Sequence, residues 1–154
     1  MPESTVITEE MRRAIGSLIN VNITVVEKGL IKDLVEAVGD FNPLWTDDEY
    51  ARTCGWGASV VPPSLFLTVR LDGSPPTSCI PFDLPLKRPL DGGGEWEFYK
   101  PVRVGDVIVT LRKLVDVYER QSKLGTLLFI TFESTYMNQK SETVGKARYY
   151  AIRY

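Results

Sequence analysis

A carboxylate, an amide and an indole stand close together in Gly39-Asp40-Phe41-Asn42-Pro43-Leu44-Trp45. A carboxylate accepts hydrogen bonds and can take a proton as a general base, whereas an indole N–H only donates and does not titrate. Asn42-Pro43 is a turn pair whatever its role. Further on, Ser64 follows Val60-Val61-Pro62-Pro63 and offers a hydroxyl and a backbone N–H, while Pro63 itself has no N–H to give. The chain of 154 residues contains no histidine. That excludes Ser-His-Asp and Cys-His nucleophilic machinery, imidazole-ligated zinc and the usual proton shuttle near neutral pH. A purely structural reading stands beside the chemical one: Asp40 turns the chain after Gly39, and Thr46-Asp47-Asp48 caps the next helix rather than holding a metal.

Helices must position this stretch. Leu30, Ile31, Leu34, Val35 and Val38 recur on one helical face over Lys28 to Val38, and Gly39 stops that helix. Asp40 therefore emerges from a helix C-terminus, and Asp47-Asp48-Glu49 opens a further helical turn carrying Tyr50 and Ala51. Before these, Thr8 to Ile19 carries a helix-start signal and a moderate apolar face, and Val21 to Val26 reads as a short strand. After them, Pro63 suits a first helical position, and Ser64 to Leu71 is apolar on nearly every side, which predicts a helix buried all round. Gly73 to Pro89, rich in Pro and Ser, reads as an excursion near a ligand or partner.

From Gly94 onward the apolar period becomes two. Trp96 and Phe98 alternate with Glu95 and Glu97, Pro101 to Asp106 makes a turn, and long strands follow over Val107–Glu119, Thr126–Met137 and Glu142–Tyr154. Gly92-Gly93-Gly94 is a turn, with no helix behind it to cradle a phosphate. Helices first and strands afterwards give an α+β layer fold. Trp56, Phe66 and Phe82 read as core or interface aromatics, and Trp45 as a packing residue ahead of a ligand-stacking one.

With 44% apolar and 25% charged residues the composition fits one domain over 1–154, with 1–19 as an N-terminal helical arm. A net charge of −2 without a basic run argues against nucleic acid. Cys54 and Cys79 lack metal or disulfide spacing and read as indifferent thiols. Neither a signal-type N-terminus nor an apolar run near the roughly 20 residues of a membrane span is present. The expectation is a cytoplasmic protein without cofactor or metal.

Three motifs carry a family resemblance: the Gly39 to Ala51 loop, the Gly57 to Leu67 approach, and Trp96-x-Phe98-x-x-Pro101-Val102-x-x-Gly105-Asp106. Together they resemble the MaoC-like enoyl-thioester hydratases, whose loop runs Gly-Asp-x-Asn-Pro-x-His. The Val-Pro-Pro-Ser spelling is similar to the divergent N-terminal-type branch. The resemblance implies a hot-dog fold, a curved antiparallel sheet around a central buried helix, paired with a second hot dog. It implies that Trp45 occupies the position of the catalytic histidine, that Asp40 is a vestigial or partial catalytic group, and that Pro63 replaces a glycine whose N–H binds the thioester oxygen. Asn42, Trp45 and Ser64 would then contact the substrate, an acyl-CoA or acyl-carrier-protein thioester.

On this reading the chain is a non-catalytic, acyl-accommodating subunit of a heteromeric enoyl-thioester hydratase or 3-hydroxyacyl dehydratase, in a dimer with a histidine-bearing hot dog. Two alternatives stay open: a self-sufficient homodimeric dehydratase or thioesterase using Asp40, and an acyl-thioester-binding scaffold.

Overall fold

The computed structural model describes residues 5–68, 71 and 73–154. Five antiparallel strands form one sheet in the order β1-β3-β4-β5-β2, with β1 Leu18–Val25, β2 Pro89–Phe98, β3 Val107–Ser122, β4 Gly125–Met137 and β5 Thr143–Arg153. Period-two alternation builds it: on β4, Leu128, Ile130, Phe132, Ser134 and Tyr136 all turn to the buried face. On β3, Ile108, Thr110, Arg112 and Leu114 do the same. A register shift between Leu114 and Asp116 then lets Val117 take the next inward place.

Two apolar clusters fill this face. The first joins Ile108, Tyr136 and Val144 of the sheet to Ile31 and Val35 of α2 (Lys28–Val38) and to Val61, Leu65 and Phe66. Alternation of Ile31 and Val35 by one helical turn is what brings α2 onto the sheet. The second joins Leu114, Leu128 and Phe132 to Met11 and Ala14 of α1 (Glu9–Ala14). Over it lie Ile80, Phe82, Leu84 and Leu86, an extended segment that turns alternate residues inward.

Several expectations are corrected. The N-terminal helix, capped by the Thr8 hydroxyl accepting from the Met11 N–H, stops at Ala14, and Leu18 and Ile19 belong to β1 instead. The segment over 73–89 covers the second core cluster as a lid of packing, with a single 3₁₀ turn at Pro76–Cys79. Gly92 to Gly94 lie within β2, where the register shifts between Asp91 and Gly94 as a bulge. A Cβ on Gly92 would stand 2.7 Å from the Tyr150 carbonyl oxygen, so the strand needs glycine there. The helix expected from Ser64 to Leu71 is a 3₁₀ turn over Pro63–Leu67 that buries Leu65 and Phe66 but exposes Ser64 and Leu67. Its expected continuation through Val69 and Arg70 lies outside the described residues. Last, the strand expected over Glu142 to Tyr154 is β5, Thr143–Arg153, which pairs with β4 on one side and β2 on the other, so that β1 and β2 are the outermost of the described strands.

Candidate functional site

The Asp40 loop is fixed at both ends. Gly39 adopts left-handed φ 72° and ψ 23°, and its N–H donates to the Val35 carbonyl at 2.8 Å, which closes α2 and throws the chain outward. The Asn42 side chain accepts from the Leu44 N–H at 3.0 Å and so caps the short helix α3, Pro43–Thr46. Asp47 accepts from the N–H groups of Glu49 and Tyr50, starting α4, Asp48–Thr53. These are the capping roles expected of Asp47 and the turn role expected of Asn42-Pro43.

Trp45 donates its indole N–H to Asp40 Oδ2 at 3.0 Å, and the Asn42 N–H reaches Oδ1 at 3.3 Å. Asp40, Asn42 and Trp45 are thus brought together, with Asp40 and Asn42 exposed and Trp45 half-buried. Ser64 is not joined to them: it is exposed on the 3₁₀ turn, while its neighbour Pro63 faces the groove described next.

Asp48, read in the sequence only as part of a cap, anchors the loop to its surroundings. Its carboxylate accepts from the N–H and hydroxyl of Ser59 and pairs with Lys28 at the start of α2. Lys28 first, then the two Ser59 donors, hold the Asp48 carboxyl well below its ordinary value. From Ser59 the chain leads to the third motif: the Val60 N–H donates to the Leu44 carbonyl, Val61 to Val102, and Val104 to Ser59, all at 2.8 to 3.0 Å. Arg103 adds a bond from Nε to the Trp56 carbonyl at 2.6 Å.

These bonds draw all three sequence motifs around one apolar groove of about 310 Å³, lined by Leu44, Trp45, Trp56, Pro63, Phe66 and Phe98 among others. Tyr99 and Lys100 stand at its rim. The Tyr99 phenol donates to Glu97, which keeps it neutral by raising its pKa above the ordinary value. The groove thus offers apolar surface, an indole whose N–H is already given to Asp40, and a wall residue without an N–H. Such a site can hold an apolar chain against Trp45, and the indole that meets Asp40 there cannot relay protons.

Deeper in, a second cavity of about 100 Å³ lies on the middle of the sheet. Arg112, Ser134, Ala147 and Trp96 form one cross-strand row beneath it, and Phe132 and Tyr149 pair in the adjacent row. Phe66 lines both cavities, with its ring edge-on to Phe98 at 5.3 Å and Tyr136 at 5.0 Å. Sequence reading passed over this second set. The local sequence hides it: Arg112 shares its row with Thr110, while Val107, Val109 and Leu111 make the opposite row the more apolar one, and tertiary packing alone turns the Arg112 row inward.

The comparisons with known proteins agree with this geometry. The family described as "FAS1-like, dehydratase domain region" matches residues 13–147. A "Probable enoyl-CoA hydratase alpha subunit" of Thermomonospora curvata is 28% identical over 139 residues, which is 81% of this chain and 44% of that protein. The chain spans only 44%, 51% and 58% of the lengths of the first three curated relatives it matches. Among solved structures, the HadBC (3R-hydroxyacyl-ACP dehydratase) complex of Mycobacterium tuberculosis aligns with a TM-score of 0.71 at 19% identity, covering 86% of this chain and 94% of that one. R-hydratase PhaJ1 of Pseudomonas aeruginosa aligns with a TM-score of 0.69 at 16% identity, covering 90% and 81%. With a hot-dog sheet and a family match across most of its length, the chain belongs to the FAS1-like dehydratase-region family of MaoC-like hot-dog proteins.

Proposed function

We propose that this chain is the non-catalytic, acyl-accommodating subunit of a heteromeric enoyl-thioester hydratase or 3-hydroxyacyl dehydratase, working beside a histidine-bearing hot dog. The observation that carries the reading is the Trp45 indole bonded to Asp40 at 3.0 Å in a chain without histidine. Adding water across an enoyl thioester needs a base to take a proton from water, an acid to deliver one to the α-carbon, and donors for the enolate-like oxygen. Asp40 alone supplies one of these. Pro63, at the groove wall, supplies no N–H. A missing acid–base group costs about 100- to 10,000-fold and a missing oxyanion donor about 100- to 1,000-fold, so the two together leave little turnover. What the chain does retain is a large apolar groove where a tail can lie while a partner does the chemistry. The naming of the Thermomonospora relative as one subunit of a hydratase supports this arrangement.

The test is hydration of crotonyl-CoA and longer enoyl-CoAs by the purified chain, alone and with a hot-dog subunit carrying Gly-Asp-x-Asn-Pro-x-His. Alone it should run near background, and Trp45→His should not restore it, because Pro63 still lacks its donor. Robust turnover by the chain alone that disappears in Asp40→Asn would overturn the proposal in favour of a self-sufficient enzyme.

A further inference from the structure

The inner cavity is a built site whose chemistry differs from the groove. Its floor carries Arg112, only 1% exposed, and Ser134, 5% exposed. Arg112 donates from Nε to Ser134 Oγ at 3.4 Å and from Nη1 to the Ser74 carbonyl at 3.1 Å, so the guanidinium is held in place at the cavity wall. Ser134 and Ala147, the small members of the cross-strand row, leave the room above them. Tyr149 completes the polar set. Its ring stacks on Phe132 with centroids 6.2 Å apart, and its phenol oxygen makes no hydrogen bond among the described residues. Burial is the main cause that raises its pKa, so the phenol stays a neutral donor and acceptor.

We infer that this cavity is a specificity site for the far end of the acyl group, and that it takes a tail bearing a neutral oxygen function, a carbonyl or hydroxyl, in place of a plain hydrocarbon end. The inference rests on the acyl-accommodating reading above and adds the substrate class to it. The geometry gives the route: a thioester lying beside Trp45 and Pro63 sends its chain past Phe66, the wall residue common to groove and cavity. The size is consistent, since an engineered cavity of about 150 Å³ holds a benzene, and this one suits a chain end of a few heavy atoms. The chemistry follows from desolvation. A hydrocarbon end would cover the Tyr149 phenol and the Ser134 hydroxyl and give nothing back, whereas an oxygen accepts from the phenol. An ionised tail would carry a whole charge out of water, and the cation on the floor that could meet it, Arg112, is already engaged through Nε with Ser134 and through Nη1 with Ser74.

The experiment measures binding of acyl-pantetheine thioesters to the purified chain by calorimetry. Pantetheine is used because it is common to CoA and carrier proteins. The probes are the octanoyl, 7-oxooctanoyl and 7-carboxyheptanoyl thioesters. The 7-oxooctanoyl compound should bind on the order of 10-fold more tightly than the octanoyl one, the worth of one well-made hydrogen bond. Tyr149→Phe, which leaves the strand pairing and both Arg112 bonds in place, and Ser134→Ala, which leaves the strand pairing and the Arg112 bond to the Ser74 carbonyl, should each shrink that ratio several-fold without weakening the octanoyl compound. Equal binding of the oxo and plain tails, a ratio unmoved by both variants, or tightest binding of the carboxylate tail would each overturn the inference while leaving the acyl-accommodating reading intact. Binding of none of the thioesters would bring down both.

Discussion

Asp40 and Asp48 stand on the same loop and meet opposite circumstances. Asp40 faces outward and spends its oxygens on an indole and a backbone N–H, both neutral donors. Asp48 turns inward, pairs with Lys28 and takes two further donors from Ser59, and the net effect lowers its pKa. Because the folded state holds this carboxyl below its ordinary value of about 4, its bonds stabilise the fold at every pH above that value. The contribution is lost as the pH falls towards the folded-state pKa. Urea midpoints of the native chain and Asp48→Asn, compared from pH 7 down to pH 2, should differ by a constant amount above about pH 5 and converge below it. A difference that is flat across the whole range would show that Asp48 acts through packing alone. The consequence reaches the groove, since Ser59 and Lys28 are the points through which α4 is tied to the third motif and to α2.

At the scale of elements, the exit from α2 decides where the loop points. Gly39 has φ 72°, and a Cβ placed there would meet no atom within 4 Å, so backbone strain is the whole cost of a side chain. Gly39→Ala should therefore destabilise the protein by about 1 kcal/mol in chemical denaturation with no change in core packing. That stop was legible in the sequence because apolar periodicity ended at Val38 and glycine followed. The long strands β3 and β4 were legible for the same kind of reason, a run of alternating and β-branched residues longer than ten, although the shift after Leu114 was not. The turn at Pro63–Leu67 was not. Leu65, Phe66, Leu67 and their neighbours look alike by hydropathy, and only tertiary packing decides that Phe66 goes into the core at 4% exposure while Leu67 stays 58% exposed. Likewise nothing local in Ile80 to Leu86 tells that its alternation covers a core cluster already built by other strands. The site divides the same way: Asp40, Asn42 and Trp45 are neighbours in sequence and were found together, whereas Arg112, Ser134 and Tyr149 meet only through strand register.

At the scale of the whole molecule, the surfaces left open point to association. Among the described strands the sheet ends at β1 and β2, and an outermost strand is a template for association. Beside β2, the apolar groove opens between exposed Trp56 and Phe98, and Tyr99 continues it, with exposures of 38%, 46% and 49%. On β1, Val21, Ile23 and Val25 present a second apolar stripe, with exposures of 52%, 67% and 51%. The two differ in what a partner would gain. Docking at β2 extends the sheet and covers the groove that holds the candidate site, so a partner there also completes the site; docking at β1 buries apolar area far from it. The expected assembly therefore uses β2 and the groove. Expressed alone, the chain should form a two-fold homodimer, since the same surface is present on each copy and that symmetry is the commonest closed arrangement. Native mass measurement should show the dimer at micromolar concentration. Phe98→Asp should convert it towards monomer and Ile23→Lys should leave it intact, because only the former places a charge in the groove. Co-expression with a histidine-bearing hot dog should shift the population to mixed dimers with hydratase activity. A stable monomer that ignores this partner would contradict the subunit arrangement, and a dimer broken by Ile23→Lys alone would move the interface to the other edge.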